Sequence, residues 1–95
     1  MMKKIRKARG SFVVENERGL HTRPSTEIVK CASRYKSEIH LCYQNCIVNA
    51  KSILGILMMA VVRGGRITIE AVGTDAEEAI QALLDLAMRK FNMVY

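Results

Sequence analysis

Residues 66–91 change their apolar period partway through, and that change constrains the fold more than any other feature of the chain. "RITIEAVG" (66–73) alternates Ile67, Ile69 and Ala71 with Thr68 and Glu70, the period of a strand with one covered and one wet face. From Thr74 onward the apolar residues Ala79, Ile80, Leu83, Leu84, Ala87 and Phe91 recur at helical spacing. Thr74 and Glu77 are spaced as a capping box that would open that helix. Such a strand and such a helix each need a cover for one side, and each can cover the other.

The same two periods alternate upstream. "SFVVENE" (11–17) reads as a first strand through Phe12 and Val14, and Arg18-Gly19 turns the chain. Ile28, Val29, Ala32 and Tyr35 then predict a helix from Thr22 to about Lys36, with Pro24 tolerated in its first turn. "EIHLCYQ" alternates Ile39, Leu41 and Tyr43 against His40 and Cys42, and "CIVNA" returns as its hairpin partner. Gln44-Asn45 forms the tip, where an asparagine can adopt a left-handed conformation. Ser52 is placed to cap a short helix carrying Ile53, Leu54, Ile56, Leu57 and Met59, which Gly64-Gly65 stops. The ten residues "ILGILMMAVV" (53–62) are too few to cross a bilayer and read as a buried helix. The predicted class is α+β: a four-stranded, largely antiparallel sheet covered on one face by three helices.

Composition fits one globular domain: 95 residues, 49% apolar, 25% charged. Net charge is +6, but five of the fifteen Lys/Arg stand in "MMKKIRKARG", leaving ten against nine acids elsewhere. Residues 1–10 are therefore expected to be a flexible basic arm, and 11–95 the folded domain. A nucleic-acid-binding module is the weakest alternative, because aromatic residues are only 5% and no strand shows a stacking pair. The N-terminus lacks the apolar core of a secretory signal. Cys31, Cys42 and Cys46 are odd in number and form no Cys-x-x-Cys pair, so neither a disulfide framework nor a zinc ribbon is predicted. His40, Cys42 and Cys46 could share one hairpin, but no fourth ligand accompanies them. A cytoplasmic, reduced protein without metal or cofactor is expected.

The chemistry concentrates at "GLHTRPS" (19–25). If a helix starts just after His21, the amides of Thr22 and Arg23 lack intrahelical partners and face an anion-attracting helix end. A cationic imidazole is disfavoured there, which favours the neutral nucleophilic form able to take a covalent group. Arg23 adds a guanidinium whose fork matches phosphate oxygens. The plainer reading, a histidine serving as a modest N-cap, fits the same spacing. No serine–histidine–aspartate set or carboxylate pair accompanies His21 to suggest a hydrolase.

"GLHTRPS" resembles the active-site stretch of the HPr family, the histidine-containing phosphocarriers of the bacterial phosphoenolpyruvate-dependent phosphotransferase system. "KSILGILMMA" (51–60) resembles that family's second signature, and the element order is similar to its open-faced sandwich from about Phe12 to Phe91. The resemblance implies that His21 accepts phosphate at Nδ1 from enzyme I and passes it to a histidine of an EIIA protein or domain. It implies phosphate binding by Thr22 and Arg23, loop shaping by Gly19, Leu20 and Pro24, and docking through Ile53, Leu54 and Leu57. It also implies phosphorylation of Ser52 by an HPr kinase/phosphorylase. The carrier would be a monomer and catalyse no net reaction of its own. Met58-Met59-Ala60 resembles the nitrogen-related branch of the family as much as the sugar-uptake branch, so a purely regulatory relay is the alternative.

Overall fold

The computed structural model describes residues 5–95. In chain order the elements are β1 (Arg6–Val13), α1 (Thr22–Ala32), β2 (Glu38–Tyr43), β3 (Cys46–Asn49), α2 (Ile53–Met58), β4 (Arg66–Gly73) and α3 (Ala76–Met88). A 3-10 turn at Lys90–Asn92 follows. The strands lie in the order β1-β4-β2-β3, and every pairing is antiparallel. The α+β architecture read from the two periods is the one observed.

Register explains why the sheet has a single covered face. Leu41 pairs with Ile69 and Ile39 with Ala71, so the apolar positions of β2 and β4 fall on one side, as a period of two requires. All four are buried, with Ile67 beside them. His40, Cys42, Thr68 and Glu70 take the other side and stay partly open. The helices close the covered face through Ile28, Ile56, Ile80 and Leu83. Phe91 is 1% exposed and meets Phe12 of β1 edge-on, with ring centroids 5.7 Å apart.

Several boundaries differ from expectation. β1 begins at Arg6 and ends at Val13 instead of spanning 11–17. The expected boundary between arm and domain therefore falls inside a strand: Arg6–Gly10 pair with Ile69–Gly73. Lys3 and Lys4 lie outside the described residues. The period of β1 is hard to read because its inward positions include Ala8 and Gly10, too small to mark an apolar stripe, while the exposed ones include apolar Val13 beside Lys7, Arg9 and Ser11. Arg6 pairs with Glu77 at 3.1 Å and Arg9 with Glu70 at 3.4 Å, contacts that contribute little at a surface.

α1 stops at Ala32 rather than near Lys36. Arg34 N–H donates to Cys31 O and Tyr35 N–H to Ala32 O, the tighter i→i+3 pattern in which helices end. At the hairpin tip Gln44, not Asn45, takes the left-handed conformation, with φ 55°. α2 ends well before Gly64, because Ala60 turns left-handed at φ 52°.

The anticipated Thr74–Glu77 capping box is not formed. The N-cap of α3 is Asp75, whose carboxylate makes no cap bond to its own helix. It reaches across to the turn before β2, accepting from the amides of Lys36 (2.8 Å) and Ser37 (3.0 Å) and from the Ser37 hydroxyl. These bonds, led by the Ser37 hydroxyl, hold the carboxyl below the usual carboxylate range. A depressed folded pKa contributes stability that is complete above the unfolded value and is lost as pH falls through the folded one. Asp75→Asn should therefore cost about 1.5–3 kcal/mol at pH 7, because bonds to a charged acceptor are lost and buried Ser37 is left short of a partner. Denaturant titrations should show the gap between the two proteins narrowing below about pH 4; a gap that stays constant would refute the ionic role.

Candidate functional site

The loop before α1 is built from backbone up. Asn16 O accepts from Gly19 N–H at 3.0 Å, closing a turn over "NERG". Gly19 sits at φ 65°, a left-handed value that L side chains seldom adopt. It also passes so close to Val61 that an added Cβ would overlap the Val61 carbonyl oxygen. That same oxygen accepts from Leu20 N–H at 3.0 Å, pinning the loop to the segment after α2. Leu20 is buried, and its own carbonyl accepts from the buried Ser25 hydroxyl at 3.1 Å.

His21 is the N-cap of α1, with extended backbone at φ −78° and ψ −170°. Its carbonyl accepts the first helical bond, from Ser25 N–H at 3.1 Å. Its side chain makes no cap bond, so the imidazole does not serve as the modest cap that the sequence also allowed. The ring is half-buried. Nε2 is enclosed and unpartnered among the described residues, which leaves Nδ1 as the nitrogen facing out.

Thr22 and Arg23 open the helix with amides that have no intrahelical acceptor, and Pro24 has no amide to offer. No acidic side chain occupies the first turn, so nothing cancels the positive pole of the helix. Arg23 is exposed and in no ion pair among the described residues. Pro24 is buried and packs the first turn down. An outward ring nitrogen, two open amides and an unpaired guanidinium thus meet at one helix start.

Ser52 is the N-cap of α2, and its Oγ accepts from Gly55 N–H at 3.1 Å. The apolar run 53–62 is not a buried helix. Ile56 and Met59 are buried, while Ile53 and Leu54 (65%) are exposed and Leu57 is half-buried. Met58 (74%) stands one turn from Leu54 on the same face and Val62 (63%) follows Val61, so both enlarge the apolar surface. Sequence reasoning missed these two, and it missed Asn16, Ser25 and Val61. "NERG" did carry a turn signal, with Asn first and Gly fourth. Nothing local marks Val61, whose part is played by a carbonyl. Among the described residues no three His, Cys, Asp or Glu side chains are grouped to hold a metal ion, and no helix is long and apolar enough to cross a membrane.

An open-faced sheet with a histidine at the start of its first helix is the arrangement that the resemblance implies for a histidine phosphocarrier domain. Comparison with known proteins agrees. Residues 8–89 match the family described as "PTS HPr component phosphorylation site". The HPr of Thermoanaerobacter tengcongensis (crystallised as HPr-C-His) is 40% identical and superimposes with a TM-score of 0.88, covering 93% of this chain and 99% of its own. A Mycoplasma histidine-containing phosphocarrier is 37% identical at TM-score 0.83, covering 88% and 94%. The HPr of Bacillus anthracis is 39% identical at 0.76, covering 81% and 92%. The chain belongs to the HPr family of phosphotransferase-system phosphocarriers.

Proposed function

We propose that His21 is the phosphoryl acceptor of this carrier, taking the group from the phosphohistidine of enzyme I and passing it to a histidine of an EIIA protein or domain. The observation that carries this reading is the outward Nδ1 of His21 beside the open amides of Thr22 and Arg23. In the first transfer the Nδ1 lone pair attacks phosphorus, an N–P bond forms, and the donor's N–P bond breaks with its electron pair returning to the donor imidazole. The phosphoryl oxygens then lie where the two amides and the Arg23 guanidinium can bind them. The onward step is the same exchange in reverse. The carrier emerges unchanged, which makes it a non-enzyme with a transient covalent state, working in the cytoplasm as a monomer.

Gly19, Leu20 and Pro24 hold the acceptor in place, and Ile53, Leu54 and Leu57 form an apolar face on which successive partners dock. Incubation with enzyme I and phosphoenolpyruvate should yield an acid-labile, base-stable phosphate on the parent chain and none on His21→Ala. Undiminished label on His21→Ala would overturn the assignment.

Ser52 is a regulatory site for an ATP-dependent HPr kinase/phosphorylase in this reading. A phosphate there would add about −1.5 to −2 charge next to the docking face and repel acidic groups on enzyme I. Ser52→Ala should escape labelling by that kinase and, by losing the cap bond to Gly55, lose about 1 kcal/mol of stability. Label retained on Ser52→Ala would refute it.

A further inference from the structure

A depression of about 340 Å³ lies where α1 meets the end of α3 and the 3-10 turn, and Ile53, Leu54 and Leu57 are not among its lining residues. Lys30 lines it from α1, Arg34 from the turn after α1 and Arg89 from the residue that follows α3, beside buried Cys31 and Leu86. The volume is at the small end of what small-molecule sites occupy.

The charge in this depression is not internally balanced. Its one carboxylate, Glu27, is already engaged: Asn92 Nδ2 donates to it at 3.0 Å and Lys30 Nζ stands at 3.5 Å. The Asn92 bond foremost, with Lys30 and Arg23 behind it, holds Glu27 below its usual range and keeps it ionised. Neither guanidinium has a carboxylate partner among the described residues. Arg34 donates only to Cys31 Sγ at 3.6 Å, a weak acceptor, and Arg89 only through Nε to Asn92 Oδ1 at 3.2 Å. A guanidinium has five N–H groups, so most of the hydrogen-bonding capacity of these two exposed side chains is unused among the described residues.

We propose that this depression binds a small anion bearing two phosphate groups, with Arg34 and Arg89 each gripping one. Guanidinium forks match phosphate oxygens bidentately, and two forks from two separate segments of the chain ask for two anionic ends. Lys30 adds a third positive charge at the rim, so the site carries three cations against one committed carboxylate. The assignment does not depend on the role of His21.

Inorganic pyrophosphate is the probe, titrated into the full chain at constant ionic strength and followed by NMR. Saturable shifts are expected at the Arg34 and Arg89 Nε–H and at the Cys31 amide, at least tenfold tighter than for orthophosphate or succinate. Arg34→Gln, which removes no structural bond beyond the sulfur contact, should weaken that binding at least tenfold while leaving shifts at Thr22 and Arg23 as they were. Arg89→Gln should do the same, and a thermal melt checks that each variant is folded. Shifts confined to Thr22 and Arg23, an unchanged affinity in folded Arg34→Gln, a response no greater than that to sodium chloride, or equal binding of orthophosphate or succinate would each overturn the proposal.

Discussion

Gly19→Ala is expected to destabilise the protein by about 2–4 kcal/mol, the range for a strained backbone conformation combined with a steric overlap. Two independent faults coincide at this residue. Its φ of 65° is costly for any residue with a Cβ. The new Cβ would also strike Val61 O, the acceptor that holds Leu20. Relief by moving the loop breaks the Leu20 bond, and His21 follows Leu20 directly. Phosphoryl acceptance should therefore fall more than the loss of folded protein explains. Denaturant unfolding and transfer from enzyme I, measured on the same preparation well below its melting temperature, would separate the two effects. A variant with parental stability and parental transfer would show that the loop adapts, and the account of its rigidity would be wrong.

Phe91→Ala should cost still more stability, about 3–5 kcal/mol, the usual loss for deleting a buried aromatic. The side chain is almost fully enclosed and packs edge-on against Phe12. It is held there by an unusual backbone: Lys90, Phe91 and Asn92 all have positive φ, at 52°, 55° and 63°. Such a run survives only where packing over-determines it. Asn16 contributes from the other side, its Nδ2 donating to Lys90 O at 3.1 Å and Tyr95 O at 3.2 Å. The same Asn16 closes the turn that leads to Gly19. Calorimetry would measure the stability loss directly. If Phe91→Ala melts within a degree or two of the parent, the ring is not a core residue in solution.

Phe91 also shows where pattern reading stops. The helical period puts it on the apolar face of the last helix, yet α3 ends at Met88 and the ring reaches the core through a left-handed turn. Apolar period reports which side chains are buried, because burial depends on direction; it does not report the path the backbone takes. Thr74–Glu77 failed for a related reason. A capping box is a local option, and Asp75 found bonding partners 38 and 39 residues away in Ser37 and Lys36, a competition no local window contains.

The first strand is hard to place from sequence for a similar reason. Lys7, Arg9 and Ser11 point outward and Ala8 and Gly10 inward, so the segment has the right period but little hydrophobic contrast. Its neighbour β4 supplies the pairing that its own composition does not advertise. The run 53–62 misleads in the opposite direction. It is continuously apolar apart from Gly55, yet part of it faces out, and nothing in a uniform run says which residues those are.

From the chain alone the element types and their order could be had, because strand and helix periods are local properties; His21 as a candidate acceptor needed the resemblance carried by "GLHTRPS" as well, since its spacing also fits a plain N-cap. Which ring nitrogen faces out, which carbonyl secures the loop, where Asp75 bonds and which apolar residues remain uncovered were decided by tertiary packing. Those outcomes depend on atoms far apart in the chain being brought within hydrogen-bond or van der Waals distance, and short-range spacing carries no record of such meetings.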